Sequence, residues 1–263
     1  MDIDVVHIDY LWDLIFNLSD ILFQDSINKM DANNYNIHPS AVINGENNIF
    51  INDNVSISAG VILDSSNGPI IIDKNAKVDI GALIQGPTYI GRDTIINPGA
   101  KLRGNISIGP VCKIGGELED VIIQGYTNKQ HDGYLGHSFL GEWINLGANT
   151  NNSDLKNNYS NIRMNISKDL EINTLKQFLG VLIGDYTRTG ISTMLNSGTF
   201  IGLGANIFGS DFQPKYIESF QWGRDNKTDF EKFIETCKKI KKRRNMELSK
   251  IEISLLKNIY ENV

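Results

Sequence analysis

The residues best suited to chemistry gather in "GYTNKQHDGYLGHSFLGEWINLGANT", residues 125–150. His131 stands near its head. An imidazole titrates close to neutral pH, so His131 is equipped to accept and return a proton. The competing role is a corner histidine bonded to a neighbouring turn. His137, six residues on, reads as a structural or rim residue. Arg103 in "KLRG" carries the planar fork that suits a phosphate, or is one surface cation among several. The run "KKIKKRR" (238–244) draws anions, or is the solvated face of a helix.

Tyr134, Leu140 and Leu146 fall six residues apart, with Gly136, Gly141 and Gly147 threaded among them. That beat fits neither a helix nor a hairpin strand. Ile-Gly and Leu-Gly pairs continue it, at Ile80-Gly81, Ile90-Gly91, Ile108-Gly109, Ile114-Gly115, Ile183-Gly184 and Ile201-Gly202. Every sixth residue then points an aliphatic chain inward, and a small residue turns the corner. Three such hexads, about eighteen residues, close a triangular coil of short parallel strands, and stacked coils bury one core. The expectation is an all-β solenoid, a parallel β-helix of roughly nine coils. A β-sandwich would instead show alternation broken every ~8–12 residues.

Residues 1–36 form an N-terminal helical segment, with apolar residues between 10 and 28 spaced by three and four. Residues 37–210 form the β-helix domain. Residues 211–263 are expected to be a capping loop, "GSDFQPKYIESFQWG" over the last coil, followed by C-terminal helices. Thr228 with Glu231 and Ser249 with Glu252 mark the two helix starts as capping boxes. The beat breaks at 64–72 and 151–178, where loops leave the solenoid. Trp143 reads as a corner or interface aromatic. A shared metal site is disfavoured: His38 precedes His131 by about five coils, ~25 Å at ~4.8 Å per coil.

The 263 residues carry a net charge of −6, which argues against a nucleic-acid binder. Two distant cysteines, Cys112 and Cys237, fit a reducing compartment. No basic signal region and no long apolar run occurs, so a cytoplasmic protein without a membrane span is expected.

The block His131-x-x-Tyr134-Leu135-Gly136, Asn145-x-Gly147-Ala148-x-Thr150, Asn158-Tyr159 resembles the acetyltransferase half of GlmU, the bifunctional glucosamine-1-phosphate acetyltransferase and N-acetylglucosamine-1-phosphate uridyltransferase. "YLWDLIFN", "GYTNKQHDGYLGH" and "GSDFQPKYIESFQWG" match a GlmU-like group described as sugar nucleotidyltransferases. The resemblance implies a left-handed parallel β-helix and a homotrimer with sites between subunits. It also implies acetyl transfer from acetyl-CoA to an amino-sugar phosphate or nucleotide sugar, with no metal. It makes His131 the general base and Arg103 the phosphate grip. Tyr134, Asn145, Asn158, Tyr159 and Lys176 would line the acceptor pocket. Gly190, Ile191, Gly204 and Gly209 would pass the acetyl-CoA. Two departures stand out. Glu119 replaces a lysine that the family carries about a dozen residues before the histidine, and "NNSDLK" adds residues before Asn158. No Gly-rich loop followed by Thr-Arg opens the chain, so the expectation is the β-helix half standing alone. The non-enzymatic alternative is a trimeric subunit supporting a separate sugar-phosphate nucleotidyltransferase.

Overall fold

The structure is a computed structural model that describes residues 6–27 and 34–263. The coils lay short strands on three faces. On the first face, Asn36–Ile37, Ser56–Ile57, Lys77–Val78, Ile95–Ile96, Lys113–Ile114 and Asn128–Lys129 pair in parallel. Bridges carry the ladder through Asn145 to Arg188, and strands carry it on to Asn206 and Trp222. Nine coils therefore stand before Gln221–Trp222 opens a tenth, which is the parallel β-helix the six-residue beat predicts. The second face begins at Val42–Asn44 and the third at Ile49–Ile51. Glu117–Gly125 and Tyr134–Glu142 each bend across both of these faces as one long strand.

Inward side chains such as Ile57, Val78, Ile96, Ile114, Leu102 and Ile123 form one continuous core from Ile49 to Ile217. Burying each is worth about 1.5–3 kcal/mol, and no coil could do so without its neighbours.

The corner from the third face to the first uses left-handed backbone even where no glycine stands. Asn54, Asn75, Asp93, Val111, Tyr126, Trp143, Tyr186 and Phe220 all have φ between 51° and 61°. That strain is offset by stacking from coil to coil. Asn54, Asn75 and Asp93 are joined by amide hydrogen bonds of 3.2 and 3.0 Å. Higher up, Tyr126 stacks on Trp143 at 4.3 Å, and Trp143 faces Tyr186 at 6.2 Å. The aromatic part of this corner receives α2 (Phe230–Lys242) and α3 (Lys250–Glu261) through Phe233, Ile234, Cys237 and Leu256.

Two expectations need adjustment. Residues 211–222 do not form a loop over the last coil. Tyr216–Ile217 and Gln221–Trp222 are themselves rungs, and Asn226–Lys227 folds back antiparallel on the last one. The aromatic residues of "ESFQWG" read as a cap because Phe220, fully buried, packs at the corner of this rung against Phe233 and Tyr260. The second adjustment concerns α2, whose N-cap is Asp229. Its side chain accepts from the Lys232 N–H, whereas the expected Thr228 hydroxyl meets Asn206 instead. Ser249 and Glu252 do form the capping box at α3.

Helix α1 (Leu11–Ser26) lies along the outside of the third face. Trp12 and Ile15 pack with Phe139 and Leu182 of the coils and with Ile162 and Met164 of the thrown-out loop. That loop is anchored by an antiparallel hairpin, Arg163–Ser167 with Leu170–Asn173. No helix among the described residues is long and apolar enough to cross a membrane.

Candidate functional site

His131 sits where the Asn128–Lys129 rung turns toward Tyr134–Glu142, exposed to solvent. Its imidazole makes no hydrogen bond or ion pair among the described residues; its carbonyl accepts from Lys129 Nζ at 2.8 Å. Lys129 is the unusual partner. It occupies an inward position, only 2% exposed, in register with Ile114 on the coil before. Burial pushes its pKa down to about 8. Its ammonium occupies the niche left by Gly116, where a Cβ would stand 2.6 Å from Nζ.

The corner at His131 continues through successive coils. The Asn149 N–H donates to the Asp132 carbonyl at 2.9 Å, and the Ser192 N–H to the Ala148 carbonyl at 2.8 Å. Gly147 and Gly190 pass so closely that a Cβ on Gly147 would lie 2.5 Å from the Gly190 oxygen. Ile191, 77% exposed, shares this column, and the register carries it on to Gly209. Gly204 lies elsewhere, at the third-to-first corner, where a Cβ would stand 2.8 Å from the Phe233 ring.

A second group lies on the outward side of the second face. Arg103 pairs with Glu117 at 3.0 Å and Glu119 at 3.1 Å. The Tyr134 hydroxyl donates to Asp154 at 2.8 Å and approaches Glu119 at 3.4 Å. His137 bridges Asp154 through Nδ1 at 2.8 Å and Asp120 through Nε2 at 3.4 Å, with Phe178 stacked on its ring at 5.1 Å. Burial lowers the His137 pKa, but the Asp154 bond and the nearby carboxylates outweigh it, so the net shift is upward. Burial likewise raises Asp154, and the bonds from His137 and Tyr134 reverse it to a net lowering. Both ring nitrogens of His137 thus face carboxylates, and neither is free to act as a base. Lys176 joins the edge of this group through Phe16, whose ring centroid is 4.3 Å from its Nζ and 6.3 Å from the His137 ring.

The structure thus gathers Arg103, Tyr134 and Lys176 around His137 and Asp154. Asp154 was not singled out in the sequence; its one signal is an acid inside the extra residues "NNSDLK". Asn145 lies apart, outward on the first face, where it meets Asn128 at 3.5 Å. Asn158 and Tyr159 are exposed on the loop, Asn158 capping Ser160 and Tyr159 67% exposed. Among the described residues no three His, Cys, Asp or Glu side chains gather as a metal site.

No family model matches the chain. Curated relatives do. The bifunctional protein GlmU of Methanococcus vannielii is 31% identical over 201 residues, which cover 74% of this chain and 45% of that protein. GlmU of Acaryochloris marina is 28% identical over 60% of this chain and 35% of its own length. A bifunctional sugar-1-phosphate nucleotidylyltransferase/acetyltransferase of Sulfurisphaera tokodaii is 30% identical over 60% and 37%. Among solved structures, the UDP-N-acetylglucosamine acyltransferase of Francisella novicida aligns over 88% of this chain and 79% of its own, at 14% identity and a TM-score of 0.47. Over as much as 74% of its length, then, this chain is GlmU-like, and it spans between a third and just under a half of the length of those relatives.

Proposed function

We propose that the chain is an acyltransferase of the hexapeptide-repeat type. Its donor is acetyl-CoA and its acceptor the amine of an amino-sugar phosphate or nucleotide sugar. The observation that carries this reading is the exposed, unpartnered imidazole of His131, set in a corner of close-packed backbone that runs through Gly147 and Gly190. The acceptor nitrogen attacks the thioester carbonyl, and His131 takes the proton the amine gives up. The tetrahedral centre collapses by expelling the thiolate, which receives that proton from the imidazolium. In this reading a backbone N–H of the Gly-rich coil stabilises the developing oxyanion. Arg103 is already held by Glu117 and Glu119, so a phosphate on the acceptor competes with two carboxylates for it. A homotrimer, by resemblance to the GlmU proteins, would close the exposed corner with a neighbouring subunit.

The same ion pairs favour a second reading, a subunit that supports a separate nucleotidyltransferase and performs no chemistry. Calorimetry with acetyl-CoA and CoA, followed by turnover on a panel of amino-sugar phosphates, separates the two. Binding by both wild type and His131→Ala, with turnover by wild type alone, supports the enzyme. A wild type that binds neither thioester nor thiol ends that reading.

A further inference from the structure

Helix α2 does not lie flat on the first face. Between them runs a cleft of about 360 Å³, lined by Asn128, Asn145 and Arg188 from successive rungs, by Lys239 of the helix and by Arg243 and Arg244 of the turn that ends it. A second cavity of about 270 Å³ adjoins it at Arg188 and Thr236 and adds Asn206 and Lys232. The helical spacing explains the wall. Lys232, Thr236, Lys239 and Arg243 fall on one stripe of α2, while Phe233, Ile234 and Cys237 bury the adjacent one. The run "KKIKKRR" is thereby divided. Lys241 turns inward, 4% exposed, to Glu252 and over the Trp143 ring, and Lys239, Arg243 and Arg244 line the cleft.

The charge in this cleft is unbalanced. None of Arg188, Lys239, Arg243 or Arg244 forms an ion pair with a carboxylate among the described residues. Arg188 is partly buried, which depresses its pKa, and a guanidinium drawn out of water without a counter-charge is costly. Among the described residues, the one side-chain hydrogen bond of these four cations is Arg244 Nη2 donating to Asn128 Oδ1 at 3.2 Å. Beside the cations, the side-chain amides of Asn128 and Asn145 on successive coils, and of Asn206 on the coil after Arg188, supply both donors and acceptors.

We propose that this cleft binds a phosphate ester of a small polyhydroxylated molecule. The phosphate lies against Arg188, Lys239 and Arg243, where forked donors match its oxygens, and the hydroxyls lie along the asparagine rungs. The volume suits one small molecule. The site is on the first face against α2, and its cations play no part in the acyl-transfer reading, although Asn145 and Arg188 stand two residues before Gly147 and Gly190 of that corner.

Calorimetric titration with glucose 1-phosphate, glycerol 3-phosphate, inorganic pyrophosphate and glucose tests it on the full chain without acyl donor. Its failure therefore leaves the acyl-transfer reading untouched. Binding of a phosphate ester more tightly than glucose is expected, weakened at least about tenfold in Arg188→Gln and in the double variant Lys239→Gln/Arg243→Gln. Lys239 and Arg243 are exposed, so the double variant keeps its fold even where Arg188→Gln does not. Asn145→Ala is expected to weaken the esters and leave pyrophosphate unchanged. If neither ester binds, or the double variant binds both as wild type does, the proposal is overturned. Pyrophosphate binding as tightly as the esters, with Asn145→Ala silent, also overturns it and leaves a plain polyanion site.

Discussion

Lys129 Nζ donates to the His131 carbonyl at 2.8 Å from an inward position of the coil, so the exposed histidine is tethered from inside the core. An aliphatic residue at that position would serve the β-helix better. The folded-state pKa of about 8 lies below the ordinary 10.5, the reverse of a lysine that gains a partner. The penalty for the buried charge is thus fully present below pH 8. Stability rises between about pH 8 and 10.5, as the folded chain gives up its proton before the unfolded one. Lys129→Met is expected to raise stability at pH 7 by about 1–3 kcal/mol and to flatten the profile between pH 8 and 10. Denaturant melts of both proteins at several pH values check this. A less stable variant at pH 7 would sink the argument.

The His137 clamp makes the opposite pH prediction. Its folded pKa is raised above 6.5, so its contribution is complete below pH 6.5 and fades as pH rises through the folded value. Asp154 is lowered below 3.8, so its contribution holds above pH 3.8 and fades as pH falls through the folded value. His137→Gln is expected to cost about 1–3 kcal/mol at pH 5–6, with a difference from wild type that narrows toward pH 9. An equal difference at pH 5 and pH 9 would mean the imidazolium contributes nothing as a charge.

Most of the fold could be read from the sequence because the six-residue beat is a direct image of the inward-facing positions. Leu140 and Leu146 are both buried where the beat places them. The beat fails where coils shorten. Glu117–Gly125 and Tyr134–Glu142 turn a corner inside a single strand, with Asp120 and His137 at positive φ and no glycine to announce the bend. His137, read as structural or rim, takes the structural role through contacts the beat does not show. Its partner Asp154 arrives from the next coil, and Asp120 from the one before, in contacts that linear spacing does not encode. Lys129 was missed for a related reason. A lysine between Asn128 and Gln130 looks like surface, and only the register with Ile114 reveals that it points inward.

Gly136 shows how the Tyr134 group depends on a missing side chain. A Cβ there would stand 2.3 Å from the Tyr134 hydroxyl oxygen and 2.4 Å from an Asp154 carboxylate oxygen. Its φ is not positive, so alanine meets steric conflict alone. Gly136→Ala is expected to separate Tyr134 from Asp154 and cost about 1–3 kcal/mol. The tyrosine should then ionise more readily, since its hydrogen bond to Asp154 helps burial hold its pKa up. Ultraviolet titration of the phenols reads that directly, and an unchanged profile in a destabilised variant would refute the link.

Trp143 joins the β-helix to the C-terminal helices, and its substitution separates packing from backbone strain. The indole, 5% exposed, lies between Tyr126 and Tyr186 and beneath Lys241. Its backbone sits at φ 61°, a conformation that costs a bulky residue about 1–3 kcal/mol. Trp143→Ala removes the packing and keeps most of the strain, so a loss of about 3–5 kcal/mol is expected. Trp143→Gly relieves the strain while removing the same packing, as a left-handed corner allows. The glycine variant should therefore be no less stable than the alanine variant, against the usual order in which Gly is the worse. Thermal melts of the three proteins decide it. A glycine variant clearly below the alanine one would show that the corner carries no strain and that stacking alone fixes this column.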